Sequence, residues 1–115
     1  MSNSETRIAI RDSATGIAGV TVHPTRPATP QPLDGWVRWR GAERADGFTF
    51  MNSWALLVVV AADEEKADDL ADTIGYALAA ALQDDDVLFV DSITAVGIPT
   101  SAGELKGVQI IGRSE

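Results

Sequence analysis

The chain has 115 residues, 45% of them hydrophobic, which fits a single compact domain over residues 1–115. It contains no cysteine, which excludes disulfides, thiolate catalysis and cysteine-ligated zinc. Its formal net charge of -8 argues against general nucleic-acid binding, because phosphate contacts require clustered Lys and Arg. No apolar leader follows MSNSETR, and the longest apolar run, residues 54–62, is too short to cross a membrane. We therefore expect a soluble protein made in the cytoplasm.

The first third of the sequence predicts a short helix, a short strand and a connector. Residues 4–16 fit a helix that Ser4 caps and Gly16 ends. Residues 19–23 (GVTVH) alternate between apolar and polar side chains, which is typical of a strand. Residues 24–33 (PTRPATPQPL) hold four of the five prolines, and proline lacks the N–H donor that a central strand needs. This proline-rich connector is expected to be extended and to lie outside the sheet.

The next segment predicts a hairpin and then a central strand. Residues 34–40 alternate as a strand, and the turn signal in AERADG, residues 42–47, predicts the hairpin tip. Phe48 and Phe50 then share one face of the returning strand. Residues 54–62 (WALLVVVAA) are apolar at every position, which predicts a central strand covered on both faces.

A long amphipathic helix over residues 63–82 is the clearest element. Asp63 is a good N-cap, and Glu64 and Glu65 place negative charge in the first turn, where the helix dipole favours it. The apolar face consists of Ala67, Leu70, Ala71, Ile74, Leu78, Ala81 and Leu82. The opposite, acidic face consists of Glu65, Asp68, Asp69 and Asp72. Because several apolar positions are alanine, the helix can approach a sheet closely.

Two further strands complete the predicted fold. They cover residues 87–96 (VLFVDSITAV) and 108–112 (VQIIG), and a turn-rich loop, residues 97–107, joins them. The strands that flank the long helix form a right-handed unit if they are parallel. The elements together predict the α+β class, with a single mixed β-sheet of about four to five strands, the long amphipathic helix on one face, and a short N-terminal helix.

Recognisable catalytic and cofactor motifs are missing from the sequence. It contains no GxGxxG, GxxxxGK[ST], GxSxG or HExxH pattern. His23 is the single histidine, which is a poor catalytic signal without a nucleophile beside it. The acidic run 84–86 has no ligand spacing and indicates a solvated helix end more than a cation site. These absences lower the odds of an enzyme without excluding one, since catalytic residues can be dispersed along a chain, and they indicate no catalytic, cofactor-binding or metal-binding residue.

The stretch GWVRWRG, residues 35–41, concentrates aromatic and cationic side chains. Strand alternation places Trp36, Arg38 and Arg40 on one face, and Val37 and Trp39 on the other, toward the core. One interpretation is an amphipathic outer face with Arg38 stacked on Trp36. The other is a subunit interface, where Trp and Arg are enriched, so that replacing Trp36 or Arg38 weakens assembly more than folding. The predicted interface residues are Trp36, Arg38, Arg40, Arg44, Phe48 and Phe50.

Several segments, taken in order, resemble the tail terminator proteins of long-tailed (siphovirus-type) bacteriophages, especially those that infect actinobacteria. These segments are WVRW, then SWALLVVVAAD running into the acidic helix EEKADDLADTIGYALAAAL, then VLFVDSITAV and the terminal VQIIGRSE. The likeness covers about residues 19–115, in layout and in sequence character.

The resemblance implies a structural virion protein of the phage tail and neck that is not an enzyme and binds no cofactor. Such proteins form hexameric rings at the head-proximal end of the tail tube, end tube polymerisation and join the tail to head-completion (stopper) proteins. The implied partners are further copies of the chain, the tail tube protein and a head-completion protein. DNA passes through the acidic channel without specific binding, and no membrane is involved. Candidate axial contacts are AERADG and residues 97–107, since loops carry binding surfaces.

Other functions remain open from the sequence. A different neck or head-closure connector ring has a similar length and layout. A ferredoxin-like domain that binds a small regulatory ligand is permitted by the order of strands and helices. An enzyme that uses the dispersed carboxylates Asp34, Asp46 and Asp91 is the third alternative.

Overall fold

The computed structural model describes residues 2–47, 49–61, 64–101 and 103–114, with the backbone alone at Asp46, Ala61 and Glu64. The helices are α1 (Asn3–Ala14) and α2 (Glu64–Asp84), and a short 3-10 turn covers Ile17–Gly19. The strands are β1 (Thr21–His23), β2 (Asp34–Asp46), β3 (Thr49–Ala61), β4 (Phe89–Thr100) and β5 (Gly103–Ser114). The fold is α+β, as predicted: one mixed sheet, a long helix and a short N-terminal helix.

The five strands lie in the order β1-β2-β3-β5-β4. β1 and β2 are parallel, and every other neighbouring pair is antiparallel. β3 and β4 are therefore parallel to each other, with β5 between them, and α2 is the connection from one to the other. Because three strands precede α2 and two follow it, the chain does not have the β-α-β-β-α-β order of a ferredoxin-like domain.

The main core fills the space between the helices and one face of the sheet, which we call the helix face. α2 contributes Ala67, Ala71, Ile74, Leu78 and Leu82 to this core. The sheet and α1 contribute Ile10, Ala14, Val37, Trp54, Leu56, Val58, Val60, Val108 and Ile110. Small residues let α2 approach the sheet, as predicted: a Cβ added at Gly75 would lie 2.7 Å from Cγ2 of Ile93 on β4.

The opposite face of the sheet, which we call the open face, carries a second, smaller apolar cluster. Trp36, Val59 and Ile98 are its buried members, and Leu57, Val96 and Leu105 pack against them. β3 is therefore buried on both faces, as its uninterrupted apolar sequence predicts. The proline-rich connector supplies part of the cover, since the Arg26 guanidinium carbon lies 5.4 Å from the centre of the Trp36 indole.

Several predicted element boundaries are wrong. α1 begins at Asn3 and is capped by Ser2, not Ser4: the Ser2 hydroxyl accepts a hydrogen bond from the Glu5 N–H, and the Glu5 carboxylate accepts one from the Ser2 N–H. The hydrogen bond from the Ser2 hydroxyl holds the pKa of Glu5 below its ordinary value. The predicted cap of α2, Asp63, lies outside the described residues.

Two segments predicted as loops are strands. Residues 42–46 of AERADG belong to β2, and within residues 97–107 the segments 97–100 and 103–107 belong to β4 and β5, which pair as a hairpin. The polar residues in both segments indicated loops. The projecting part of a hairpin buries few side chains, so its sequence can be polar although its backbone N–H and C=O groups still pair between the strands.

Two hairpins extend beyond the rest of the sheet at opposite ends. Asn52 pairs with Ser114, the last residue of β5, so residues 43–47 and 49–51 project past β5; we call them the upper arm. Lys106 pairs with Ala61, so residues 98–101 and 103–105 project past β3; we call them the lower arm. The arms help to give the molecule its longest dimension of 46 Å.

Replacing Gly75 by Leu is expected to destabilise the fold by about 1–3 kcal/mol, because a larger side chain pushes α2 away from Ile93 and Val108. Chemical denaturation measures the change in the free energy of unfolding. Ala80→Leu, on the exposed side of the same helix, is the control and should change it by about 0.5 kcal/mol or less. Equal effects of the two substitutions would contradict the close approach.

Candidate interaction surfaces

The burial of the two tryptophans of GWVRWRG is the reverse of what the sequence predicts. Trp36 lies on the open face with Arg38, as predicted, but its side chain is only 4% exposed. Trp39 shares the helix face with Val37, yet it is 44% exposed. The reason is the position of each along β2: β1 pairs only with Asp34 to Trp36, so the outer edge of the strand at Trp39 has no neighbouring strand.

The cation that stacks on Trp36 comes from the connector. Arg26 lies over the indole and donates a hydrogen bond to the Pro99 carbonyl on β4, so it ties the connector across the open face. The predicted stack of Arg38 on Trp36 is absent from the described residues, among which Arg38 has no ion pair or hydrogen bond either. Arg38 is exposed. Arg26 therefore has a structural role at Trp36, whereas Arg38, on the same face of β2 as Trp36, faces solvent.

A β-bulge interrupts β2 at Arg40. The register passes from Trp39↔Trp54 to Gly41↔Ser53, which leaves Arg40 without a partner residue on β3. Its guanidinium donates to the Ser53 hydroxyl at 3.1 Å. A bulge changes the direction of the side chains that follow it, so simple alternation from Trp36 does not extend past Arg40.

Phe50 and Arg44 face each other across the upper arm. The Arg44 guanidinium carbon lies 5.2 Å from the centre of the Phe50 ring and the guanidinium donates to the Gly47 carbonyl at 2.6 Å. The Phe50 side chain is 50% exposed. The predicted pairing of Phe48 with Phe50 lies outside the described residues.

A second aromatic–arginine pair near the same end of the sheet was missed at the level of sequence. Phe89 is 62% exposed, and the Arg113 guanidinium carbon lies 5.0 Å from its ring centre. Arg113 also forms an ion pair with Asp91 at 3.0 Å, which accounts for the carboxylate in that strand. The two residues are 24 positions apart, and only the register of β4 on β5 brings them together. We call this end of the sheet, which carries the exposed rings of Trp39 on β2, Phe50 on β3 and Phe89 on β4, the aromatic end.

A groove of about 680 Å³ lies on the open face between the connector and β4. Its apolar lining includes Trp36, Leu57, Val96 and Ile98. Its cationic lining is Arg7, Arg26 and Arg38, and none of the described residues that line it is a carboxylate. Arg7 has a structural role, since it donates to the carbonyls of Pro24 and Val37 at 2.7 Å. Three of nine basic residues thus meet at one groove of an acidic chain.

The acidic side of α2 is exposed, as predicted. Asp69 and Asp72 lie beside Ile93 and Ala95 of β4, and Tyr76, which is 65% exposed, lies beside Val90 and Asp91. We call the surface formed by Asp69, Asp72 and Tyr76 the acidic flank. It lies beside β4 on the side of the helix face, whereas the groove lies on the open face.

The remaining polar candidates have structural partners. Asp85 accepts a hydrogen bond from the Ser13 hydroxyl at 2.6 Å, and His23 contacts Asp34 at 3.3 Å. Within the described ranges, no group of three His, Cys, Asp or Glu side chains is placed to hold a metal ion. In the same ranges, no helix has the length and apolarity required to cross a membrane.

Comparison with protein-family models gave no match, and comparison with curated proteins found no significant similarity. The surfaces described above therefore rest on the geometry of this chain.

Trp36→Ala is expected to destabilise the folded chain by about 3–5 kcal/mol, because it removes the bulky indole from the second apolar cluster and leaves a cavity there. Trp39→Ala is the matched substitution on the same strand and should lower the free energy of unfolding by about 1 kcal/mol or less. Urea denaturation of both variants measures the difference. Similar losses in the two variants would contradict the difference in burial between the two indoles. A small loss for Trp36→Ala would agree with the sequence-based interpretation of Trp36 as an interface residue.

Proposed function

We propose that this chain is a tail terminator of a long-tailed bacteriophage, a structural virion protein that forms a hexameric ring at the head-proximal end of the tail tube. The observation that carries the proposal is the aromatic end, where Trp39, Phe50 and Phe89 are 44–62% exposed. Large apolar side chains gathered at one end of a sheet are typical of a surface that a partner protein covers. The sequence resemblance specifies the class of partner, the tail tube protein.

The two ends of the molecule differ, which is what a terminator requires. A subunit that offered the same chemistry at both ends would allow the tube to continue. The aromatic end offers rings and arginines, whereas the lower arm carries Pro99 and the Glu104–Lys106 ion pair at 3.9 Å. In this proposal the aromatic end binds the last ring of the tube, and the lower arm faces the head-completion protein.

The net charge suits a ring through which DNA passes. Each copy contributes -8, and like charge repels the phosphate backbone, so DNA moves through without forming lasting contacts. An assembly of copies related by rotation also requires head-to-tail contacts between unlike surfaces.

A head-closure connector ring is the other candidate, because exposed aromatics at one end also suit contact with a head protein. The two functions differ in the partner that the aromatic end binds. A ferredoxin-like ligand-binding domain has less support, since the strand and helix order does not correspond to that fold.

The test is to mix the chain with tail tube protein that is polymerising, and to follow tube length by electron microscopy and ring mass by native mass spectrometry. We expect hexamers, and tubes that stop growing once one end is occupied. A chain that stays monomeric in the presence of tube protein contradicts the proposal. Hexamers that bind a head protein but leave tube growth unchanged would favour the head-closure ring.

The double substitution Phe50→Ser and Phe89→Ser is expected to abolish the arrest of tube growth while the thermal unfolding midpoint changes little, because both rings are at least half exposed. Ile8→Ser removes an exposed apolar side chain from α1, far along the chain from both, and serves as the control that should still arrest growth. Arrest by the double variant as efficient as that of the wild type would show that the aromatic end is not the tube contact.

A further inference from the structure

We propose that the groove on the open face binds the acidic flank of α2 from a second copy of this chain. This inference rests on the proposed function, since it names the contact that would close the hexamer. The groove is apolar at its floor and cationic at its rim, and the acidic flank offers two carboxylates and a tyrosine.

The open face is the side of the sheet that the chain itself covers least. Both helices pack on the helix face, and the cover described for the open face comes mainly from the connector, through Arg26. Apolar side chains nevertheless continue along it, including Leu57 and Val96, which remain partly exposed in the groove. A sheet is most stable when both faces are covered, and the cover that a single chain lacks here can come from a helix of its neighbour.

Charge selects which surface of the neighbour fits. Arg26 and Arg38 are cations on a groove whose described lining contains no carboxylate. Arg38 has no ion pair among the described residues, so its charge is available to a partner. Asp69 and Asp72 are exposed carboxylates three residues apart on one side of α2. Complementary charge of this kind orients the encounter of two copies and disfavours the wrong register.

Tyr76 supplies an apolar anchor within the same flank. It follows Asp72 by four residues, so the two side chains are neighbours on the helix surface. Tyrosine is enriched at the centres of interfaces because its ring is apolar and its hydroxyl is polar. At 65% exposed, the Tyr76 ring is open to a groove floored by Trp36 and Leu57.

The groove and the acidic flank lie on opposite sides of the sheet. The acidic flank lies on the side of the helix face, beside Ile93 and Ala95 of β4, and the groove lies on the open face. Each copy therefore presents the groove on one face of its sheet and the flank on the other. When the groove of each copy binds the flank of the next, one rotation relates every neighbouring pair of copies. The copies form a ring if repeating that rotation returns to the first copy.

Charge reversal tests the contact. Arg38→Asp and Asp72→Arg are each expected to weaken self-association by about tenfold or more, because each places like charges together across the interface. The two substitutions combined in one chain should restore association to within about threefold of the wild type, because the pair is then complementary again. Association is measured by sedimentation velocity over a range of concentrations, with and without tail tube protein.

The controls separate this contact from a general effect of charge. Arg11→Asp, on α1, and Asp84→Arg, at the far end of α2, change the net charge by the same amounts and should leave association unchanged. Circular dichroism of every variant establishes that it is folded. If the single reversals have no effect, or if the double variant fails to recover, the proposal is wrong.

Cross-linking gives an independent readout, because the chain has no cysteine of its own. Thr25→Cys places a thiol at the groove, and Thr73→Cys places one on α2 next to the acidic flank without removing its carboxylates or Tyr76. A short bismaleimide should link the two variants when they are mixed, and should not link either variant to itself. Hexamers that form without this cross-link overturn the docking proposal but leave the proposed function standing, whereas a chain that stays monomeric with tube protein overturns both.

Discussion

Burial of β3 on both faces is the constraint on which the rest of the structure depends. Its helix-face residues, including Trp54, Leu56 and Val58, meet α1 and α2, and its open-face residues Leu57 and Val59 meet the second cluster. A strand that is apolar at every position requires cover on two sides. α2 supplies one cover by crossing from β3 to β4, which inserts β5 between them. The connector supplies only part of the other, through Arg26.

The open face of the sheet is only partly covered, and in our proposal this connects the fold of one copy to the assembly of several. A domain of this size buries a limited fraction of its surface, so a face that the chain leaves half covered gains most from a neighbouring copy. Trp36 and Ile98 make the groove apolar, Arg38 leaves a cation at its rim, and the acidic flank of α2 lies on the opposite side of the sheet. In our proposal the same two-layer architecture therefore specifies both the subunit and the direction in which subunits join.

The ends of the sheet carry a separate function from its faces. β5 does not extend beyond its pairing with Asn52, so Phe50 in the upper arm is stacked by Arg44 and remains half exposed. The lower arm at the opposite end buries Ile98, and its exposed residues include Pro99, Ser101 and Glu104. Lateral contacts between faces and axial contacts at the ends can thus be altered independently, which makes the proposed roles separable by substitution.

The amino-acid sequence by itself determined the α+β class, the long helix with its acidic side, and the doubly buried central strand, because helical spacing and uninterrupted apolar runs are local signals. It did not predict which tryptophan of GWVRWRG is buried, the bulge at Arg40, the pairing of Phe89 with Arg113, or the strands hidden in polar residues 97–107. These features were decided by tertiary structure, because burial at a strand position depends on which distant segment covers it. Arg26 covers Trp36 from a connector, and no strand covers the edge at Trp39; neither fact has a local signature in the sequence.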